Sequence, residues 1–188
     1  MGSPDRNAAI VNGRGSPPTR RADRPRGVDH WLLAAAAVGT AVTGGVFFDF
    51  SFVVMPGVRE LPAAQGIEAM QAFDRTAVQP PLMLLMYATA VLCAVLAVRA
   101  LMSWNRSTSP WILAAASAFL LAAVVITGAA NVPISAAVDA LDPTGADTAA
   151  RWDELFTEWI RWNHARTLTS IAAAAGFLIA LRTRGSTR

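Results

Sequence analysis

The chain has no lysine and only one cysteine, one tyrosine and two histidines among 188 residues. Charged residues make up 15% of it, well under the roughly 25% of an ordinary soluble domain. Each scarcity excludes something. A lone Cys93 allows neither an intrachain disulfide nor a cysteine metal cluster. His30 and His164 fall at opposite ends of the apolar region, about a bilayer thickness apart, too far to share one haem or metal ion. No glycine-rich phosphate loop or zinc signature occurs, and no period of about 20–50 residues marks a repeat array. The residues therefore point to no metal site and no cofactor.

What is present is apolar and arginine-rich. Hydrophobic residues are 54% of the chain, and mean hydropathy is +0.39. All 16 basic residues are arginine. A pI near 10.4 resembles a nucleic-acid signal, but the arginines cluster between apolar runs, as membrane topology requires, so no nucleic-acid partner is expected. Four runs are long enough to span: roughly Trp31–Met55, Pro81–Met102, Trp111–Pro133 and Arg166–Leu181. A hydrocarbon core of about 30 Å takes about 20 helical residues. The expected fold is all-α, a four-helix transmembrane bundle over residues 28–183. Residues 1–27, rich in Arg, Pro, Gly and Ser, read as a disordered segment, and 184–188 as a short tail. The first apolar run is too long for a signal-peptide core and reads as a retained anchor helix.

The arginines set the expected orientation. Eleven lie in the N-terminal segment, the short middle connection and the C-terminus, and five lie on the other side. The positive-inside rule then puts both termini in the cytoplasm of a multi-pass cell-membrane protein. The two longer connections fall outside. Glu60–Ala77 carries Ile67, Met70, Phe73 and Ala77 at helical spacing and reads as an amphipathic helix on the outer surface. Ser135–Asn163 has a turn at Asp142-Pro143-Thr144-Gly145 and then a helix, with Trp152, Phe156, Trp159 and Trp162 on or near one face.

Polar residues converge at one depth. Asp49 lies about 27 Å along the first span from Trp31, and Asn131 about 30 Å along the third from Trp111. Asn163, His164 and Arg166 begin the fourth span, and Tyr87 lies about 9 Å inside Pro81. Each has a plain structural alternative. Asp49 either neutralises Arg166 or takes part in chemistry. Asn131, just before Val132-Pro133, either ends its helix or faces a site. Trp159 and Trp162 are interfacial anchors or ligand walls.

One longer pattern remains. Gly45-Val46-Phe47-Phe48-Asp49-Phe50 runs to Met55-Pro56, followed by Ala69-Met70-Gln71 and Gln79-Pro80-Pro81. Then come Asn131-Val132-Pro133-Ile134, Trp152 and Trp159-Ile160-Arg161-Trp162-Asn163-His164-Ala165-Arg166-Thr167. In order and spacing this resembles the anthrone-oxygenase-like membrane family over about residues 32–182. Ser135 stands where members often carry a second asparagine. The resemblance implies oxidation of anthrones to anthraquinones by O2 without a recognised cofactor. It implies a base, for which His164 and Asp49 are the candidates, and donors to hold an enolate oxygen, from Tyr87, Asn131, Asn163 and Arg166. Trp159 and Trp162 would be the aromatic walls.

Two functions follow. One is oxidation of a lipophilic phenolic or anthrone-like molecule near the outer leaflet. The other is a non-enzymatic membrane protein that binds a lipid or assists a partner. They separate on whether the polar groups line an open pocket or only satisfy one another. The topology itself is testable: reporter fusions at Gly145 and at the C-terminus should report outside and inside respectively, and the opposite pattern would reverse the orientation.

Overall fold

In a computed structural model, residues 30–185 are described; the expectation for residues 1–27 and the end of the tail lies outside them. Five helices form among the described residues: α1 (His30–Arg59), α2 (Ala63–Ala77), α3 (Leu82–Met102), α4 (Ser109–Asp139) and α5 (Thr148–Gly185). All but α2 are long and apolar enough to cross a membrane. In chain order α1, α3, α4 and α5 pack each against the next, and α5 closes back along α1. The chain is a multi-pass membrane protein with an all-α bundle.

The helices are longer than the apolar runs. At 1.5 Å per residue, the 30 residues of α1 and the 31 of α4 reach about 45 Å, and the 38 of α5 about 57 Å. The 21 residues of α3 reach only about 31 Å, close to the hydrocarbon thickness. Three helices therefore project past the fourth at one end, and α2 crosses the projecting part as a cap. The fourth span is continuous with the helix in the second long connection, and Asn131 does not end its helix, which runs on to Asp139.

Two hydrophobic cores result. One lies along the spans and is rich in alanine: Ala36, Ala90, Ala115, Ala116, Ala173 and Ala180 pack with Leu33, Leu96, Phe119 and Phe177. Small side chains let backbones approach, which is where packing energy between helices comes from when the surroundings are as apolar as the interface. The other lies under the cap, where Ile67 and Met70 of α2 meet Met55, Val58, Ile134, Val138, Trp152, Phe156 and Trp159. The amphipathic α2 thus buries its apolar face on protein. Gln71 pins it there, donating from Nε2 to the carbonyls of Val138 (3.1 Å) and Leu141 (3.1 Å) at the end of α4. Arg59 pairs with Asp153 at 2.7 Å and ties α1 to α5 on the exposed side.

Between the cores, α1 and α4 change winding. Phe50–Val54 and Leu121–Asn131 are π-helical, with Met55 N–H reaching Phe50 O and Val132 N–H reaching Thr127 O. Each segment ends two residues before a proline, Pro56 or Pro133. In a continuous α-helix the proline ring would clash with the carbonyl four residues back, here Phe52 or Ala129. The wider i→i+5 winding relieves that clash without breaking the helix, and such segments often occur at functional sites.

The close approaches make a paired test. A Cβ on Gly176 would lie 2.9 Å from Ala115 Cβ, an atom fixed to the α4 backbone, whereas one on Gly45 meets nothing within 4 Å. Gly176→Ala should lower the melting temperature in detergent, by the equivalent of about 1–3 kcal/mol of overpacking. Gly45→Ala should raise it slightly, since alanine is the better helix former by roughly 0.5–1 kcal/mol.

Candidate functional site

Helical phase decides which polar residues face inward. Successive residues of an α-helix turn by about 100°. On α5, Trp159, Asn163 and Arg166 share a face, Trp162 lies at its edge, and His164 turns away from it. On α1, Phe47 and Phe50 share a face, and Asp49 is carried to the far side. On α2, Met70, Phe73, Asp74 and Ala77 recur at i, i+3, i+4 and i+7, so a carboxylate lies in register with the apolar stripe.

These faces enclose a cavity of about 360 Å³ at the junction of the two cores, lined by all five helices. That is within the roughly 300–1,000 Å³ of small-molecule sites. Apolar walls come from Phe47, Phe50, Met70, Phe73, Met83, Met86 and Trp159, and polar groups from Asp74, Thr127, Asn131, Ser135, Asn163 and Arg166. Tyr87 and Asp139 also line it and are exposed on the outside.

Arg166 is the centre of the polar side. It is buried within α5, where an unpaired charge is expensive. Its Nη2 donates to Asn163 Oδ1 and its Nη1 to Thr127 Oγ1 at 3.3 Å. Its guanidinium lies over the Phe47 ring at 4.4 Å and near the Trp159 ring at 5.5 Å, contacts that attract a cation to the ring face. Asn163 is held in turn, donating from Nδ2 to Phe47 O and Ser51 Oγ, both at 2.8 Å. Ser51 and Thr167 hydroxyls meet at 3.2 Å.

Asp74 faces Arg166 from the cap. Burial pushes its carboxyl up from 3.8 to about 6. The Ser135 hydroxyl, which donates to Oδ1 at 3.1 Å, and the Arg166 charge pull the other way, while Asp139 adds to the rise. Trp159 Nε1–H donates to Ser135 Oγ at 3.3 Å, so indole, hydroxyl and carboxylate form one chain. Asn131 donates from Nδ2 to Trp159 O at 3.3 Å. Three buried atoms of these cavity-lining residues have no protein partner: Asp74 Oδ2, Asn131 Oδ1 and Arg166 Nε. Buried polar atoms normally find a partner, so this wall can hold a ligand's polar groups. No cluster of three or more His, Cys, Asp or Glu side chains suited to a metal ion forms among the described residues.

A family profile for anthrone oxygenase matches residues 69–176, more than half of the chain. The chain belongs to the anthrone oxygenase family. No curated protein and no solved structure matches it. This anthrone-oxygenase-like membrane protein brings five of the eight expected site residues to one cavity: Tyr87, Asn131, Trp159, Asn163 and Arg166. The other three, Asp49, His164 and Trp162, do not line it. Asp49 is exposed and makes no ion pair with Arg166. His164 stacks on Phe52, with centroids 5.0 Å apart and planes 18° from parallel. Trp162 is also exposed. All three share the depth of the cavity, but helical phase turns Asp49 and His164 away from it and leaves Trp162 at its edge. Asp74, Ser135 and Thr127 were missed. For Asp74 the available signal was a carboxylate on the apolar stripe of an amphipathic helix.

The shifted carboxyl has a measurable consequence for the fold. Because the folded protein holds the Asp74 proton more tightly than the unfolded chain, the group's contribution falls as pH rises from about 4 to about 6 and is level above that. Asp74→Asn should therefore melt higher than wild type at pH 7.5, with the gap closing toward pH 4. An equal difference at both pH values would contradict the shift.

Proposed function

We propose that the cavity binds a flat, lipophilic phenolic or anthrone-like molecule and promotes its oxidation by O2. The observation that carries this reading is a buried guanidinium and an elevated carboxyl facing one aromatic-walled cavity. An anthrone has an acidic methylene conjugated to a ketone. Asp74 takes one methylene proton, and Arg166, aided by Asn131, stabilises the enolate oxygen that develops. The carbanion adds O2, and the peroxide takes up a proton. Loss of the second methylene proton with O–O cleavage then gives the quinone carbonyl and water. The balance is one CH2 plus one O2 to one C=O plus one H2O, with no further reductant.

The chain from Trp159 through Ser135 supports this role for Asp74, because it fixes Oδ1 and leaves Oδ2 without a protein partner. A base poised near pH 6 suits proton abstraction near neutrality. With both termini cytoplasmic, as eleven arginines against five favour, the cavity lies toward the outer leaflet of the cell membrane. Its open aromatic form favours substrate binding over a purely structural polar cluster.

The test is anthrone oxidation by protein in lipid nanodiscs, followed as quinone absorbance. Asp74→Asn should lower kcat by about 10²–10⁴ and abolish the acid limb near pH 6. Arg166→Gln should lower it by about 10²–10³. His164→Ala should retain near wild-type turnover. Loss with His164→Ala and retention with Asp74→Asn would reverse the assignment.

A further inference from the structure

The walls of the cavity are not equally closed. On the α1–α5 side the helices touch: a Cβ on Gly44 would lie 3.0 Å from Ser170 Cβ, and Asn163 bonds the backbone of α1. Toward water, α2 lies across the cavity with Met70 fully buried, and Gln71 fastens it to the end of α4. The side between α3 and α4 differs. There Tyr87 and Val132 line the cavity and yet are 55% and 56% exposed, and Val78, at the end of α2, lines it at 68% exposure.

Their depth matters. Tyr87 lies five residues into α3 and Val132 seven residues before the end of α4, about 8 and 10 Å below those helix ends. Because α4 projects past α3, Tyr87 lies within the span, whereas Val132, about 32 Å along α4 from Trp111, sits at its outer boundary. At the rim above them Asp139 also lines the cavity and is exposed. The opening therefore grades from apolar within the membrane to acidic at its edge, with the single tyrosine between. Tyrosine favours that boundary because its ring is apolar and its hydroxyl polar.

We propose that the cavity is loaded sideways from the bilayer, through a mouth between α3 and α4 framed by Tyr87 and Val132. Its substrate class is then a membrane-dissolved neutral amphiphile, an aromatic ketone or phenol that becomes an anion only inside. The inference rests on the reading of the cavity as a substrate site. It follows from the chemistry of the route. A neutral phenol or ketone partitions into hydrocarbon, whereas its anion does not. The groups that favour the anion, Arg166 and Asn131, lie behind the mouth. A molecule held at headgroup depth meets the apolar half of the mouth with its rings and the Asp139 end with its polar groups.

The experiment is stopped-flow binding of anthraquinone to the full chain in nanodiscs, read as quenching of tryptophan fluorescence and assigned by its loss in Trp159→Phe. Val132→Trp narrows the mouth and should slow association by about tenfold. Tyr87→Ala widens it and should speed association. Val124→Trp, which faces outward on the same helix and does not line the cavity, should leave the rate as in wild type. The opposite signs of the two mouth variants guard against a folding defect in either one. Association indifferent to both would overturn the portal, as would acceleration confined to Gln71→Ala, which frees the cap and would locate entry from water. Absence of quenching in the wild type is a separate result, and would defeat the proposed function itself.

Discussion

A guanidinium buried in a membrane-spanning helix constrains everything around it. Arg166 cannot remain there without partners, because charge inside a membrane is stabilised only by polar neighbours or water. Its surroundings meet that demand in layers. Asn163 and Thr127 accept its hydrogen bonds, the Phe47 and Trp159 faces lie against the cation, and Asp74 supplies opposite charge from the cap. Nε is left over. The site is thus nearly satisfied without a ligand, which holds it together, and incompletely so, which gives a ligand something to bind.

The rest of the architecture serves that layer. Because α1, α4 and α5 are longer than α3, they make a second core beyond the spans, and α2 closes it. The cap is what brings Asp74 to the site, and Gln71 fixes its register one turn before the carboxylate. Pro56 and Pro133 require wider winding upstream, and the π-helical segments they accompany carry Phe50 on α1 and Thr127 and Asn131 on α4. Packing, winding and electrostatics therefore meet at one depth.

Much of this could be read in the residues. Four apolar runs of near-bilayer length gave the bundle, and the order of Asn131, Trp159, Asn163 and Arg166 gave the family and most of the polar layer. What failed was direction around the helix. Asp49 and His164 lie at the right depth, and only the phase set by Phe47 and Asn163 shows that neither lines the cavity. Asp74 was overlooked for the reverse reason: a carboxylate on an amphipathic surface helix is usually solvated, and its burial depends on what α2 packs against. The π-helical segments change phase by an amount that no periodicity count includes, although each is signalled by a proline two residues beyond its end.

In the proposed function Arg166 and Asp74 face one bound aromatic molecule between the two cores. The most direct measurement is an experimental structure of the protein in lipid with anthraquinone bound. The quinone should lie between Phe47 and Trp159, with a carbonyl oxygen within hydrogen-bond distance, about 3 Å, of the Arg166 guanidinium. A quinone seated instead against the His164–Phe52 stack, or a cavity occupied by an acyl chain while the quinone stays in bulk lipid, would contradict it.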